Sequence, residues 1–163
     1  MKKLQIRNVR PEDLAQVAAI EACCFPPAEA ASSQALAARM EFFPESFLVA
    51  EAAGTLIGFI NGGSTDSPVI YDALFSSVKE HNPQGKNQAV FGLDVIPDYR
   101  CQGIAGQLMK EFIRCARDSG KQNIILTCKD HLVHYYESFG YVNSGLSASK
   151  HGGAEWFDMT LSL

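Results

Sequence analysis

Leu93-Asp94-Val95-Ile96-Pro97-Asp98-Tyr99-Arg100-Cys101-Gln102-Gly103-Ile104-Ala105-Gly106 is an apolar strand pattern that breaks at a proline and passes through a glycine-rich step into a helix. A strand ended by proline leaves its sheet, Arg100 adds fixed positive charge, and Gly103 lets the backbone approach a ligand closely. The helix that follows begins with N–H groups that have no acceptor inside the helix, so the segment is expected to cradle a phosphate-bearing ligand. Downstream, Ile104, Leu108, Phe112, Ile113 and Ala116 recur at three- and four-residue spacing, which buries one face, while Lys110, Arg114 and Arg117 face water. Gly120 is the expected helix end. Two other phosphate-loop designs are excluded. No Lys-Ser or Lys-Thr follows the glycines, as a nucleoside-triphosphate loop requires, and Gly-x-Gly-x-x-Gly is absent.

The remaining pattern, Arg-x-x-Gly-x-Ala after Leu-x-Val, resembles the acetyl-CoA signature of the GCN5-related N-acetyltransferases (GNAT). The resemblance implies an α/β fold: a single domain over residues 1–163 with a mixed central β-sheet flanked by helices and an acetyl-CoA cleft at splayed central strands. It also implies that the amides of Leu93 and Val95 bond the pantetheine and thioester, and that those of Cys101 to Gly106 hold the pyrophosphate. Leu93, Asp94, Val95, Arg100, Cys101, Gln102, Gly103, Ile104, Ala105 and Gly106 are therefore the expected cofactor-binding residues. Without the flanking strand and arginine, Gly103 would read only as a helix cap.

Composition agrees with one compact enzyme domain. The chain has 163 residues, 47% of them hydrophobic, enough to bury a core. A formal net charge of -4 opposes unselective binding to nucleic acid or to an anionic membrane, both of which need a basic face. No apolar run is long enough to span a bilayer, and Met1-Lys2-Lys3 leads into a strand-like segment rather than a signal sequence, so a cytoplasmic location is expected. Five cysteines lack metal-ligand or disulfide-framework spacing, so reduced thiols and no metal site are expected.

Strands and helices are expected to alternate. Leu4 to Val9 reads as a strand, Pro11-Glu12-Asp13 as a helix start, and Leu14, Val17, Ala18 and Glu21 share one helix face. A second helix is expected from Ser32 or Ser33, presenting Leu36 and Met40. Ser46 to Ala52 and Leu56 to Gly62 flank a turn at Ala53-Gly54. Gln88 to Val95 is the next strand, Ile124 to Cys128 another, Leu132 to Phe139 a short helix, and Tyr141 to Ser147 with Trp156 to Leu161 the last hairpin. Residues 63–86 read as a loop over a binding site or a surface insertion, with a helix over Asp72 to Glu80.

Asp130-His131-Leu132-Val133-His134-Tyr135-Tyr136-Glu137-Ser138-Phe139 resembles the segment that carries the catalytic tyrosine in arylalkylamine N-acetyltransferases. The Phe-Pro-Pro segment, the Phe47-Leu48-Val49-Ala50-Glu51 strand and the Leu56-Ile57-Gly58-Phe59-Ile60 strand resemble that group as well. In acetyl transfer an amine attacks the thioester carbonyl, so the departing thiolate needs a proton. The resemblance implies that Tyr136 supplies it as general acid and lies against the cofactor. Tyr135 and Tyr136 also read as packing residues of a short amphipathic helix, and neighbours cannot share one direction. In the animal enzymes of that group two strand histidines relay the substrate proton; Ala89 and Phe91 stand at the aligned positions here. Asp94 should face away from Leu93 and Val95 by strand alternation and reads as structural. Glu29 is a candidate base, and a water chain is another route for the proton.

The expected activity is acetyl transfer from acetyl-CoA to a small primary amine, an arylalkylamine among the candidates. Phe25, Phe42, Phe43 and Phe47 suit either an aromatic pocket or the core. A peptide or protein amino group is the alternative acceptor, and a non-catalytic acetyl-CoA sensor is the alternative class. Cys101 is expected to pack beneath its loop, or else to face the cofactor and react with thiol reagents.

Overall fold

The computed structural model describes residues 3–163; Met1 and Lys2, part of the segment expected not to be a signal sequence, lie outside the described residues. The chain divides into two compact units, one of residues 1–62 and 92–115 and the other of residues 63–91 and 116–163.

The first unit opens with β1 (Leu4–Asn8), a 3-10 turn at Pro11–Asp13 and α1 (Leu14–Cys24). Asp13 secures that corner: its carboxylate accepts from Arg7 Nη1 at 2.8 Å and from the Arg10 amide at 2.7 Å. Next comes α2 (Ser33–Phe42), capped as expected by Ser32, whose hydroxyl accepts from the Ala35 amide at 3.0 Å. β2 (Phe47–Ala52) and β3 (Thr55–Asn61) form an antiparallel hairpin. Its two-residue turn has φ of 51° at Ala53 and 82° at Gly54, the left-handed pair that matches strand twist. Val17, Ile20, Leu36, Phe47, Val49, Leu56 and Phe59 make the core between the helices and the sheet.

Residues 63–86, in the second unit, are tied down rather than loose. They hold β4 (Ser64–Thr65), α3 (Asp72–Ser76) and a separate 3-10 turn at Val78–Glu80, so the expected continuous helix breaks at Ser77. Ile70 and Leu74 are buried with Ala89 and Ile125. Ser64 N donates to His81 Nδ1 at 2.9 Å, and Lys121 Nζ donates to Pro83 O at 3.0 Å.

The expected strand Gln88 to Val95 is two strands. β5 (Asn87–Ala89) belongs to the second unit and β6 (Gly92–Val95) to the first; Val90 N still donates to Ile125 O at 2.9 Å, and the change of partner falls at Phe91. The single expected sheet is accordingly two: β1-β2-β3-β6, all antiparallel, and a second sheet containing β4 and β5. After β6 comes α4 (Ile104–Asp118), with Ile104, Leu108, Met109, Phe112, Ile113 and Ala116 buried. Gly120 follows it with φ 78°.

β7 (Asn123–Cys128) pairs parallel with β5 and antiparallel with a later strand. A 3-10 turn at Asp130–Leu132 and α5 (Val133–Glu137) replace the longer helix expected to reach Phe139. β8 (Val142–Leu146) and β9 (Phe157–Ser162) form the last antiparallel pair, giving the order β4-β5-β7-β9-β8.

Candidate functional site

β6 is an edge strand of its sheet, and its register decides which amides face outward. It pairs Gly58 with Val95 and Ile60 with Leu93. One step further, Ile96 N donates to Ile57 O at 2.9 Å. Hydrogen-bonding direction alternates along an antiparallel strand, so Asp94 points its backbone groups at β3 while Leu93 and Val95 turn theirs to the open edge. The outward carbonyl of Val95 is engaged: it accepts from Arg100 Nε at 2.9 Å and from Cys24 Sγ at 3.4 Å. Burial and the Asp94 charge push the Cys24 thiol up.

Such close pairing of β3 with β6 needs Gly58. A Cβ there would lie 2.5 Å from Asp94 O, a contact the backbone cannot relieve without shifting the strand.

Beyond β6 the chain makes the 3-10 turn Pro97–Tyr99 and then a sharp bend. Cys101 has φ 61° and Gly103 has φ 81°. Gln102 Nε2 donates back to Asp98 O at 3.2 Å, and Gly103 O accepts from Gln107 N at 3.0 Å, which opens α4 at Ile104. The first amides of α4, at Ile104, Ala105 and Gly106, have no acceptor within the helix by geometry. Among the described residues nothing lies within 4 Å of where a Cβ on Gly103 would stand, so glycine is required there by its backbone conformation rather than by crowding. Cys101 is exposed, which corrects the expectation that its sulfur packs beneath the loop.

Asp94 joins this stretch through its backbone alone. Its side chain is 1% exposed and faces Glu21, so it is not available to a ligand along the outward edge. Burial and the Glu21 carboxylate hold it well above the ordinary carboxylate range. Glu21 itself is buried on α1, with Oε2 accepting from the Ala31 amide at 2.8 Å. The sequence carried the signal, a glutamate on the apolar face of a helix, but nothing in it named the partner. Glu29, by contrast, sits half-buried in the connection between α1 and α2, where its amide donates to Pro26 O at 2.9 Å. Of the candidate pocket aromatics, Phe43 and Phe47 are core residues, and Phe42 is 51% exposed.

In the second unit, Tyr136 lies on α5, half-buried and packed edge-on against Tyr141 with ring centroids 5.9 Å apart. Tyr141 is buried. Tyr135 takes another direction: it is exposed, meets Phe139 edge-on at 5.3 Å, and stands at 75° to Tyr136. Phe75 lies between Phe91 and His151, and Lys129 stands 5.7 Å over the Trp156 ring.

Among the described residues no cluster of side chains suited to a metal ion occurs, and no helix is long and apolar enough to cross a membrane. The chain is 28% identical over 144 residues to "Probable hydrolase YhcX" of Bacillus subtilis, covering 83% of this chain and 28% of that protein. It spans 40% to 59% of three further curated relatives. Among solved structures, the loading GNATL domain of CurA from Lyngbya majuscula superposes with a TM-score of 0.85 at 14% identity, covering 98% of each chain. A GNAT family acetyltransferase from Brucella melitensis in complex with acetyl-CoA superposes with a TM-score of 0.64 at 18% identity, covering 100% of this chain and 90% of that one. These two likenesses concern the fold. Residues 14–141, which span both units and contain the β6 edge, the left-handed loop and the start of α4, match the acetyltransferase (GNAT) family model, and the chain belongs to that family.

Proposed function

We propose that the protein transfers an acetyl group from acetyl-CoA to the nitrogen of a small primary amine. The observation that carries this reading is the order of backbone features on one stretch: outward amides at Leu93 and Val95, left-handed residues at Cys101 and Gly103, then the open first turn of α4. Amides on an open strand edge suit the amide-bearing arm and thioester of acetyl-CoA. A helix start with Arg100 beside it suits the pyrophosphate. The bound acetyl-CoA seen in the Brucella family member supports the same ligand here.

In this reading the outward amides orient the thioester and stabilise the oxyanion that forms as the amine attacks. Tyr136 donates a proton to the thiolate as the C–S bond breaks. A phenol with an ordinary pKa near ~10 is a competent donor to a thiolate near ~8.5 when held close to it. The arylalkylamine class is the acceptor favoured by the tyrosine segment's resemblance, and peptide amino groups are the competing class. We further propose a soluble, cytoplasmic protein with no nucleic-acid or membrane partner, in line with its acidic balance.

Release of free CoA from acetyl-CoA, measured across a panel of arylalkylamines, polyamines, aminoglycosides and peptides, tests the reaction and its acceptor together. Turnover fastest with small aromatic amines is the expected result. Preference for peptides replaces the acceptor class. Tight acetyl-CoA binding without release from any amine replaces transfer by a sensor role.

A further inference from the structure

Four polar side chains from four elements meet inside the first unit: Glu21 of α1, Arg39 of α2, Asn61 of β3 and Asp94 of β6. Their exposures are 5%, 5%, 0% and 1%. Arg39 Nη1 donates to Asn61 Oδ1 at 3.2 Å, which turns Asn61 Nδ2 the other way. That Nδ2, Glu21 Oε1 and both Asp94 carboxylate oxygens are buried without a hydrogen-bond partner among the described residues. Three of these atoms surround the one β6 residue that lacks a side chain. A Cβ on Gly92 would lie 3.2 Å from Asp94 Oδ1, 3.5 Å from Asn61 Nδ2 and 3.8 Å from Glu21 Oε1.

An unsatisfied buried polar atom costs about 1–3 kcal/mol, and four together imply missing partners. Two kinds fit. Asp94, pushed toward its protonated form by burial and Glu21 against the charges of Arg39 and Arg100, can donate that proton to the Glu21 carboxylate. Asn61 Nδ2 still needs an acceptor and the carboxyl oxygens still offer acceptor capacity. A water molecule satisfies both at once, because it accepts and donates.

We propose that Glu21, Asn61 and Asp94 form the proton-accepting site for the substrate amine, with a water molecule beside Gly92 as carrier. This rests on the acetyl-transfer reading above. The substrate ammonium gives one proton to the water as the water gives one to the Asp94 carboxylate: an N–H bond breaks, an O–H bond forms on Asp94, and the amine is left neutral. The neutral amine forms the N–C bond and the C–S bond breaks. A second N–H proton then leaves the nitrogen and passes through solvent to the Tyr136 phenolate, restoring the phenol that protonated the thiolate, and Asp94 returns its own proton to solvent. Asp94 is too buried to touch the amine, so it acts through the water.

Burial and Glu21 raise the proton affinity of Asp94, while Arg39 and Arg100 lower it; Cys24 is a further titratable group that feels the Asp94 charge. A carboxylate raised well above its usual range is a better base for an ammonium than an exposed one. The rate should therefore rise with pH as Asp94 loses its proton.

The test uses the full chain, with acetyl-CoA affinity measured beside kcat/KM as a function of pH on the best amine of the panel. Asp94→Asn is expected to bind acetyl-CoA as the wild type does, to lose about 10²–10⁴ in kcat/KM, and to move the acid limb of the profile to that of the free amine. Gly92→Ala, which fills the carrier's space without adding charge, should also lower the rate and leave acetyl-CoA affinity intact; it serves if Asp94→Asn does not fold. The carboxylic-acid carbonyl band in infrared spectra should titrate with the acid limb in the wild type and be missing from Asp94→Asn. Folded variants with an unaltered rate and profile, or a wild type without that band, overturn this inference while acetyl transfer stands. A wild type that releases no CoA from any amine overturns acetyl transfer itself, and the acceptor role with it.

Discussion

Arg100 is tied to the strand it follows: its Nε donates to the carbonyl oxygen of Val95 at 2.9 Å, so the charge that begins the loop is anchored to the outward edge of β6. A bond that fixes one guanidinium nitrogen leaves the others as donors for an anion. Arg100→Gln should weaken acetyl-CoA binding about tenfold or more, ~1.4 kcal/mol, and flatten its dependence on salt. Calorimetric titration at two ionic strengths measures both. An unchanged affinity would remove Arg100 from the cofactor site.

At Gly103 the φ of 81° and the open space around it separate two effects. Gly103→Ala should cost about 1–2 kcal/mol of stability through backbone strain alone. Gly103→Glu should add a negative charge where phosphates are expected and sharply weaken acetyl-CoA binding. Thermal melts and titration of both variants distinguish strain from repulsion; equal affinity in a folded Gly103→Glu protein would rule the cradle out.

Tyr136 and Tyr135 differ by one hydroxyl each from phenylalanine, so the pair makes its own control. Tyr136→Phe should lower turnover by roughly two or more orders of magnitude with acetyl-CoA affinity much less affected. Tyr135, exposed and packed on Phe139, should tolerate the change. Equal effects from the two variants would count against Tyr136 as the acid.

The cysteines should alkylate in an order set by exposure and thiol pKa. Cys23 and Cys101 are exposed, whereas burial raises Cys24 and pushes Cys128 to about 11. Brief labelling followed by mass spectrometry should find Cys23 and Cys101 first and Cys128 last. Saturating acetyl-CoA should protect Cys101 and leave Cys23 unchanged; no protection at Cys101 would place its sulfur away from the ligand.

Asp13 should make the protein acid-sensitive. Arg7 hydrogen bonds and the Arg10 amide hold its carboxyl below the usual range, so it binds fewer protons folded than unfolded near and below pH ~4. Its contribution is complete above the unfolded value and is lost as pH falls through the folded one. Asp13→Asn should cost roughly 2–3 kcal/mol at pH 7 and less at low pH. Denaturant titrations at pH 7 and pH 3 measure the difference; a cost independent of pH would mean that packing rather than charge holds the corner.

Local chemistry wrote much of this protein into its sequence. Ser32 caps α2 because a hydroxyl before a helix satisfies an orphan amide, and Ala53-Gly54 turns the β2–β3 hairpin because both residues adopt left-handed φ. The apolar stripe of α4 and the bend at Gly103 were legible for the same reason: each depends on residues within a turn or two of itself. Tertiary pairing decided the rest. Gln88 to Val95 has the apolar pattern of one strand, but β5 finds β7 and β6 finds β3, and no local signal states which partner a strand will take. The register against β3 also decided that Leu93 and Val95 turn their backbone outward and that the Asp94 side chain meets a glutamate more than seventy positions earlier in the chain. A sequence can show a carboxylate on the apolar face of α1 and another on β6; that the two carboxyls face each other is settled only when helix and strand pack, because their interaction depends on distance through space and on the water excluded between them.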